Sequence, residues 1–131
     1  MIAVSPFKGL VHKESLEGSI NMDVSAAFVA ATYKAVLSSQ EYRDDFDGKH
    51  VVIVVDNAPA HSQVKERTDK VLEDEGNNHE FLKILCLGPY SPMCNPCENC
   101  FSVMKAFIKS KMKENRNAIN SFNTWGQIAS F

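Results

Sequence analysis

The stretch Ser91–Phe101, SPMCNPCENCF, carries two kinds of chemistry at once. Cys94, Cys97 and Cys100 recur every third residue, which resembles the start of a metal–thiolate or iron–sulfur site. The bacterial ferredoxin spacing needs a fourth Cys after three intervening residues, and that position is Met104. Cys86 is the remaining thiol, but it falls inside an apolar strand candidate, and zinc sites more often use two separated Cys-x-x-Cys knuckles. The cysteines therefore read first as small buried apolar residues. The same stretch holds Asn95-Pro96-x-Glu98. Asn95 is a good N-cap, Pro96 suits the first helical position, and Glu98 stands where a capping box has its acid. Glu98 can bond back to the Asn95 N–H. The same carboxylate, kept ionised by the helix N-terminus, can also ligate a hard divalent cation. Spacing alone leaves both readings open.

A second carboxylate follows a different signal. Val51–Val55 (VVIVV) is five consecutive β-branched residues without alternation, which predicts a strand buried on both faces in a parallel sheet. Asp56 comes directly after it, at the carboxyl end, where open α/β sheets bind ligands. A charge there is costly unless a cation or donors meet it. The competing reading is an Asx turn or a cap on the next helix.

The elements that must position these groups alternate along the chain. Met1–Ser5 and Leu10–Leu16 read as two strands of a hairpin around a Pro6–Gly9 turn. Asn21 or Asp23 caps a helix over 24–37, with Val24, Phe28, Ala31, Ala35 and Val36 at helical spacing. Arg43–Lys49 is a polar loop. A helix over 60–75 follows the Asp56 break and stops at Gly76. Phe81–Leu87 is a second buried strand, 88–96 a Pro-rich loop, and 98–116 a long helix. The order β-β-α-β-α-β-α argues for a layered α/β fold. Residues 117–131 are polar with scattered aromatics.

With 131 residues, 44% of them hydrophobic, the chain suits one domain and excludes wholesale disorder. No apolar run approaches a membrane span and no signal peptide is evident, so the expected location is intracellular. The net charge of −2, from 14 basic and 16 acidic residues, is low for a self-sufficient nucleic-acid binder. A local basic stripe is nevertheless present on the last helix. Lys105, Lys109, Lys113 and Arg116 follow one another by four, four and three residues, beside the apolar line Phe101, Met104, Ile108 and Met112. It reads either as a solvated face or as a row of phosphate contacts.

Together, VVIVVDNAPAHSQV and LKILCLGPYSPMCNPCENCFSVMKAFIK resemble the DDE-type catalytic domain of Tc/mariner-like transposases and their insertion-sequence relatives. The matching residues are Asp56, Asn57 and His61, then Pro89-Tyr90-Ser91-Pro92, Asn95-Pro96, Glu98, Phe101 and Lys105. The resemblance is strong over 51–112 and weaker over 10–37. It implies a ribonuclease-H-like three-layer α/β fold with a mixed sheet, spanning 1–116, and metal-dependent cutting and joining of DNA. Asp56 and Glu98 match the second and third acids of a triad that holds two Mg²⁺ or Mn²⁺ ions. Asn57, His61 and Asn95 would support the site, His61 by orienting Asp56. Tyr90, Ser91, Lys105, Lys109, Lys113 and Arg116 would contact DNA. The resemblance also allows a homodimer, and it implies a nuclear location in a eukaryote and a cytoplasmic one otherwise.

The family's first Asp lies on a first strand upstream of the hairpin that begins here. Glu14, Glu17 and Asp23 are in the wrong places to replace it. The expectation is thus an N-terminally truncated domain, inert or very weak as an enzyme, without the family's helix-turn-helix DNA-binding modules. The alternatives are a non-catalytic, domesticated or degenerate remnant that binds DNA or protein and, more remotely, a small cysteine–metal protein.

Overall fold

Elements form where the sequence supplies both a run and a stop. A computed structural model describes residues 1–5 and 8–114. The Asn21 side chain accepts a hydrogen bond from the Val24 N–H at 2.9 Å and so caps α1, Met22–Leu37. Gly76, at φ +71°, ends α3, Val64–Asp74. Its N–H bonds the Glu73 carbonyl at 3.0 Å, and the Asn77 N–H bonds that of Leu72 at 2.8 Å, the pairing of a Schellman motif. Asn95 accepts from the Cys97 N–H at 3.1 Å and opens α4, Pro96–Glu114. Arg116 and the tail 117–131 lie outside the described residues.

The strands are β1, Ile2–Ser5, β2, Gly9–Lys13, β3, Val51–Val55, and β4, Leu82–Cys86. β1 and β2 pair antiparallel with an irregularity between Ala3 and Val4, while β3 and β4 pair parallel, Val51 opposite Leu82 and Val55 opposite Cys86. A parallel pair needs a long crossover, and α3 provides it. Among the described residues these are two separate two-stranded sheets rather than one mixed sheet.

The chain divides into two compact units, Met1–Cys97 and Glu98–Phe131. In the first unit α1 packs against α3 and β3. Ala30, Tyr33, Leu72 and Leu82 form one buried cluster, and Val29, Val55 and Val64 another; Ile53 and Ile84 touch both. Thr68, fully buried on α3, donates to the Ala26 carbonyl at 3.5 Å. In the second unit the described part of α4 presents Val103, Met104, Phe107, Ile108 and Met112 exposed. None of the described helices is long and apolar enough to cross a membrane.

Four local expectations are corrected. The run VVIVV is not buried on both faces: Val55 and Ile53 turn inward while Val52 and Val54 are exposed, as strand alternation dictates when only one face is covered. The buried side of α1 is Ser25, Ala26, Phe28, Val29, Ala30, Thr32 and Tyr33, whereas Val24, Ala31, Ala35 and Val36 are only half-buried. A further helix, α2 at Gln40–Asp45, begins before the expected polar loop and takes up its first three residues, capped by the Ser39 hydroxyl. The helix expected over 60–75 is split into a 3₁₀ turn, Pro59–His61, and α3, with Gln63 between them at φ +56°.

Candidate functional site

Asp56 sits one residue beyond β3, and the Leu87 N–H closes the strand end by bonding the Val55 carbonyl at 2.9 Å. The register therefore sets Cys86 beside the break that Asp56 begins. Asn57, Ala58 and Pro59 then turn the chain into the 3₁₀ segment that carries His61. The result is an open cleft of ≈ 280 Å³ lined by Asp56, Asn57, Ala58, Pro59, His61, Ser62, Gln63 and Cys86. It lies at the carboxyl edge of the parallel pair, where α/β sheets place their ligand sites.

The Asp56 carboxylate is held by one of its two oxygens. Oδ1 accepts from the Ala58 N–H at 3.1 Å, an Asx turn, and lies 3.1 Å from His61 Nε2. Oδ2 takes part in no hydrogen bond or ion pair among the described residues. The Asx-turn reading and the ligand reading are therefore compatible, because each uses a different oxygen. His61 is mostly covered, and its Nδ1 is sealed from solvent without a hydrogen-bond partner among the described residues.

Asp56 offers a hard oxygen of the type Mg²⁺ or Mn²⁺ takes, and Mg²⁺ is commonly held by one or two carboxylates plus water and phosphate. Asp56 supplies one such oxygen and no other carboxylate lines the cleft, so the cleft residues do not by themselves make a divalent-ion site. Among the described residues no group of three His, Cys, Asp or Glu side chains converges to hold an ion.

The other expected site residues fall as follows. Glu98 occupies the first turn of α4, is exposed, and takes part in no hydrogen bond or ion pair among the described residues. Its carboxylate is free for a ligand, and Asn95 does the capping. Asn57 is exposed on the cleft rim. Tyr90 is 98% exposed in a left-handed backbone conformation, φ +59°, and the Ser91 hydroxyl donates to the Pro89 carbonyl at 3.4 Å. Lys105, Lys109 and Lys113 are exposed at i, i+4 spacing on α4, each without an ion pair among the described residues. Lys111, off that stripe, pairs with Glu114 at 2.7 Å.

The buried-cysteine expectation is corrected. Cys86, Cys94 and Cys100 are exposed and Cys97 is partly buried, and none of them forms a disulfide among the described residues. Cys86 ends a strand at the cleft mouth and Cys94 closes a 3₁₀ turn, so neither is roofed by other residues. Five cleft residues were missed in the sequence: Ala58, Pro59, Ser62, Gln63 and Cys86. Only Cys86 had a readable signal, since matching the lengths of the two strands sets it opposite Val55.

A family model described as "DDE superfamily endonuclease" matches residues 1–120. No curated protein and no solved structure matches the chain.

Proposed function

We propose a function from one premise: the chain belongs to the DDE superfamily endonuclease family. The reading is a DDE-type transposase or endonuclease domain of ribonuclease-H-like architecture that acts on DNA phosphodiesters, with Asp56 and Glu98 as its two metal-binding carboxylates. The observation that carries it is the Asp56 carboxylate at the carboxyl edge of β3, clamped through Oδ1 with Oδ2 left free. The β-β-α-β-α-β-α order of the larger elements supports the architecture. The Tc/mariner-like subgroup rests on the loop string Pro89-Tyr90-Ser91-Pro92 with Asn95-Pro96.

Two bound Mg²⁺ or Mn²⁺ ions would supply activation of water or a 3′-hydroxyl and charge neutralisation at the leaving oxygen. The chain's own residues do the rest. The Asx turn holds the Asp56 carboxylate through Oδ1, with the His61 ring beside the same oxygen. Asn95 starts α4 so that Glu98 stands in its first turn, where the helix dipole favours the ionised carboxylate. Lys105, Lys109 and Lys113 offer a row of cations for backbone phosphates.

The second reading, a non-catalytic remnant that binds DNA, draws on the single carboxylate lining the cleft. Plasmid nicking separates the two. Supercoiled DNA is incubated with the purified chain and Mn²⁺, with Asp56→Ala as control. The first reading expects Mn²⁺-dependent nicking that is lost in Asp56→Ala, and the second expects DNA binding with nicking at background. Strong nicking that is lost in Asp56→Ala contradicts the remnant reading, and failure to bind either DNA or Mn²⁺ contradicts both.

A further inference from the structure

We infer that the Tyr90 ring is a stacking platform for an unpaired nucleobase, presented at the same sheet edge as Asp56. The inference rests on the DNA reading above and deepens it, because it names the part of DNA that this loop takes. The loop's place follows from strand register. β3 and β4 run parallel with Val55 opposite Cys86, so both strands end at one edge of the sheet. Asp56 leaves β3 there, and the chain leaving β4 there runs through Gly88 and Pro89 to Tyr90. Cys86, the last residue of β4, lines the Asp56 cleft.

Tyr90 is unlike the other two tyrosines of the chain. Tyr33 and Tyr42 are buried, and each hydroxyl donates to a backbone carbonyl, Asn78 at 3.2 Å and Lys49 at 2.7 Å. Tyr90 is 98% exposed, so both faces of its ring are open to solvent, and its hydroxyl meets no partner among the described residues. The backbone beneath it is left-handed, φ +59°. A residue with a β-carbon resists that conformation and keeps it only where its surroundings impose it. Here the loop is tied on the far side. The Ser91 hydroxyl donates to the Pro89 carbonyl at 3.4 Å, and the Cys94 N–H to the Ser91 carbonyl at 3.1 Å. A braced backbone thus holds a large ring out in water, the reverse of its ordinary placement. Met93 of the same loop is 81% exposed as well.

The chemistry of the loop selects the ligand. Residues 87–97 include no charged side chain, so this stretch offers a phosphate no cation. What it offers is a π-face, and every base has one to match. Inside a duplex both faces of a base are covered by its neighbours. The ring therefore takes a base at a strand end, a nick or a single-stranded stretch. Stacking releases no counterions, so its loss leaves the salt dependence of binding as it was. The competing contact, a tyrosine hydroxyl donating to a phosphate, needs the oxygen and not the ring.

The test titrates a short single-stranded oligonucleotide and the matching intact duplex with the full wild-type chain, Tyr90→Phe and Tyr90→Ala, at several salt concentrations, reading fluorescence anisotropy. In parallel, ¹H NMR follows the Tyr90 ring of the wild-type chain as the single strand is added. The expected result on the single strand is weakening by about 10-fold in Tyr90→Ala with an unchanged salt slope, and Tyr90→Phe within about 2-fold of wild type. The Tyr90 ring signals should move upfield, as stacking under a base requires. Tyr90→Phe as weak as Tyr90→Ala assigns the contact to the hydroxyl and overturns the inference. A flatter salt slope in Tyr90→Ala, or the same loss on the intact duplex, overturns it too. Wild-type affinity that Tyr90→Ala leaves unchanged overturns it while sparing the DNA reading. Absence of binding to either DNA by the wild-type chain overturns that reading and this inference with it. The ring signals are read on the wild-type chain, and ring signals that stay in place while the strand binds overturn the inference without any variant.

Discussion

Asp56 and Tyr33 are polar groups of the same unit with opposite fates. Asp56 keeps one oxygen at the surface, whereas Tyr33 is 1% exposed and donates its hydroxyl proton to the Asn78 carbonyl at 3.2 Å. Burial pushes the Tyr33 hydroxyl above its ordinary range, with Tyr42 and Glu80 adding to the rise and a backbone hydrogen bond from Phe81 opposing it. The folded state thus holds the proton more tightly than the unfolded state. The resulting stability is fully present below about pH 10, the unfolded value, and is lost as pH rises through the higher folded value. The wild-type unfolding midpoint should fall steeply above about pH 10, and Tyr33→Phe should flatten that fall; parallel curves would contradict the assignment. At this scale the sequence was legible where type and position agree. An acid after five aliphatic residues, followed five positions later by a histidine, marked the cleft. The left-handed backbone at Gln63 and Tyr90 was not legible, because neither residue type favours it and loop closure imposes it.

The four strands and the helices α1, α3 and α4 were legible because their ends are written in side-chain chemistry: Asn21, Gly76 and Asn95 each satisfy backbone groups that an uncapped end would leave unpaired. Faces were harder. α1 is apolar around most of its circumference, so periodicity alone could not choose its buried side, and packing against α3 chose it. VVIVV looked buried on both faces since valine and isoleucine satisfy a strand whether or not the second face is covered. The element-scale test contrasts the two environments. Leu72, fully buried on α3 in the cluster with Ala30, Tyr33 and Leu82, should cost about 3 kcal/mol when replaced by Ala. Leu85 is exposed on β4, and Leu85→Ala should change stability by no more than about 0.5 kcal/mol. Urea unfolding reads both, and similar losses would mean that the outer face of β3 and β4 is covered in solution.

At the scale of the molecule, the two acids belong to different units: Asp56 to Met1–Cys97, and Glu98 to the unit it begins. The family match crosses that boundary, covering residues 1–120. Sequence reasoning could pair the acids only through the family motif, since no local rule of spacing connects a strand end to a helix start 42 residues later. The central proposal is that the Asp56 carboxylate takes a divalent ion. Paramagnetic broadening by Mn²⁺ in the ¹⁵N-labelled chain tests it most directly. The account predicts that amide signals of Asp56 and its neighbours in the cleft broaden saturably with Mn²⁺ and that Asp56→Ala abolishes this broadening. Absence of broadening around Asp56, or broadening that Asp56→Ala leaves unchanged, would contradict it.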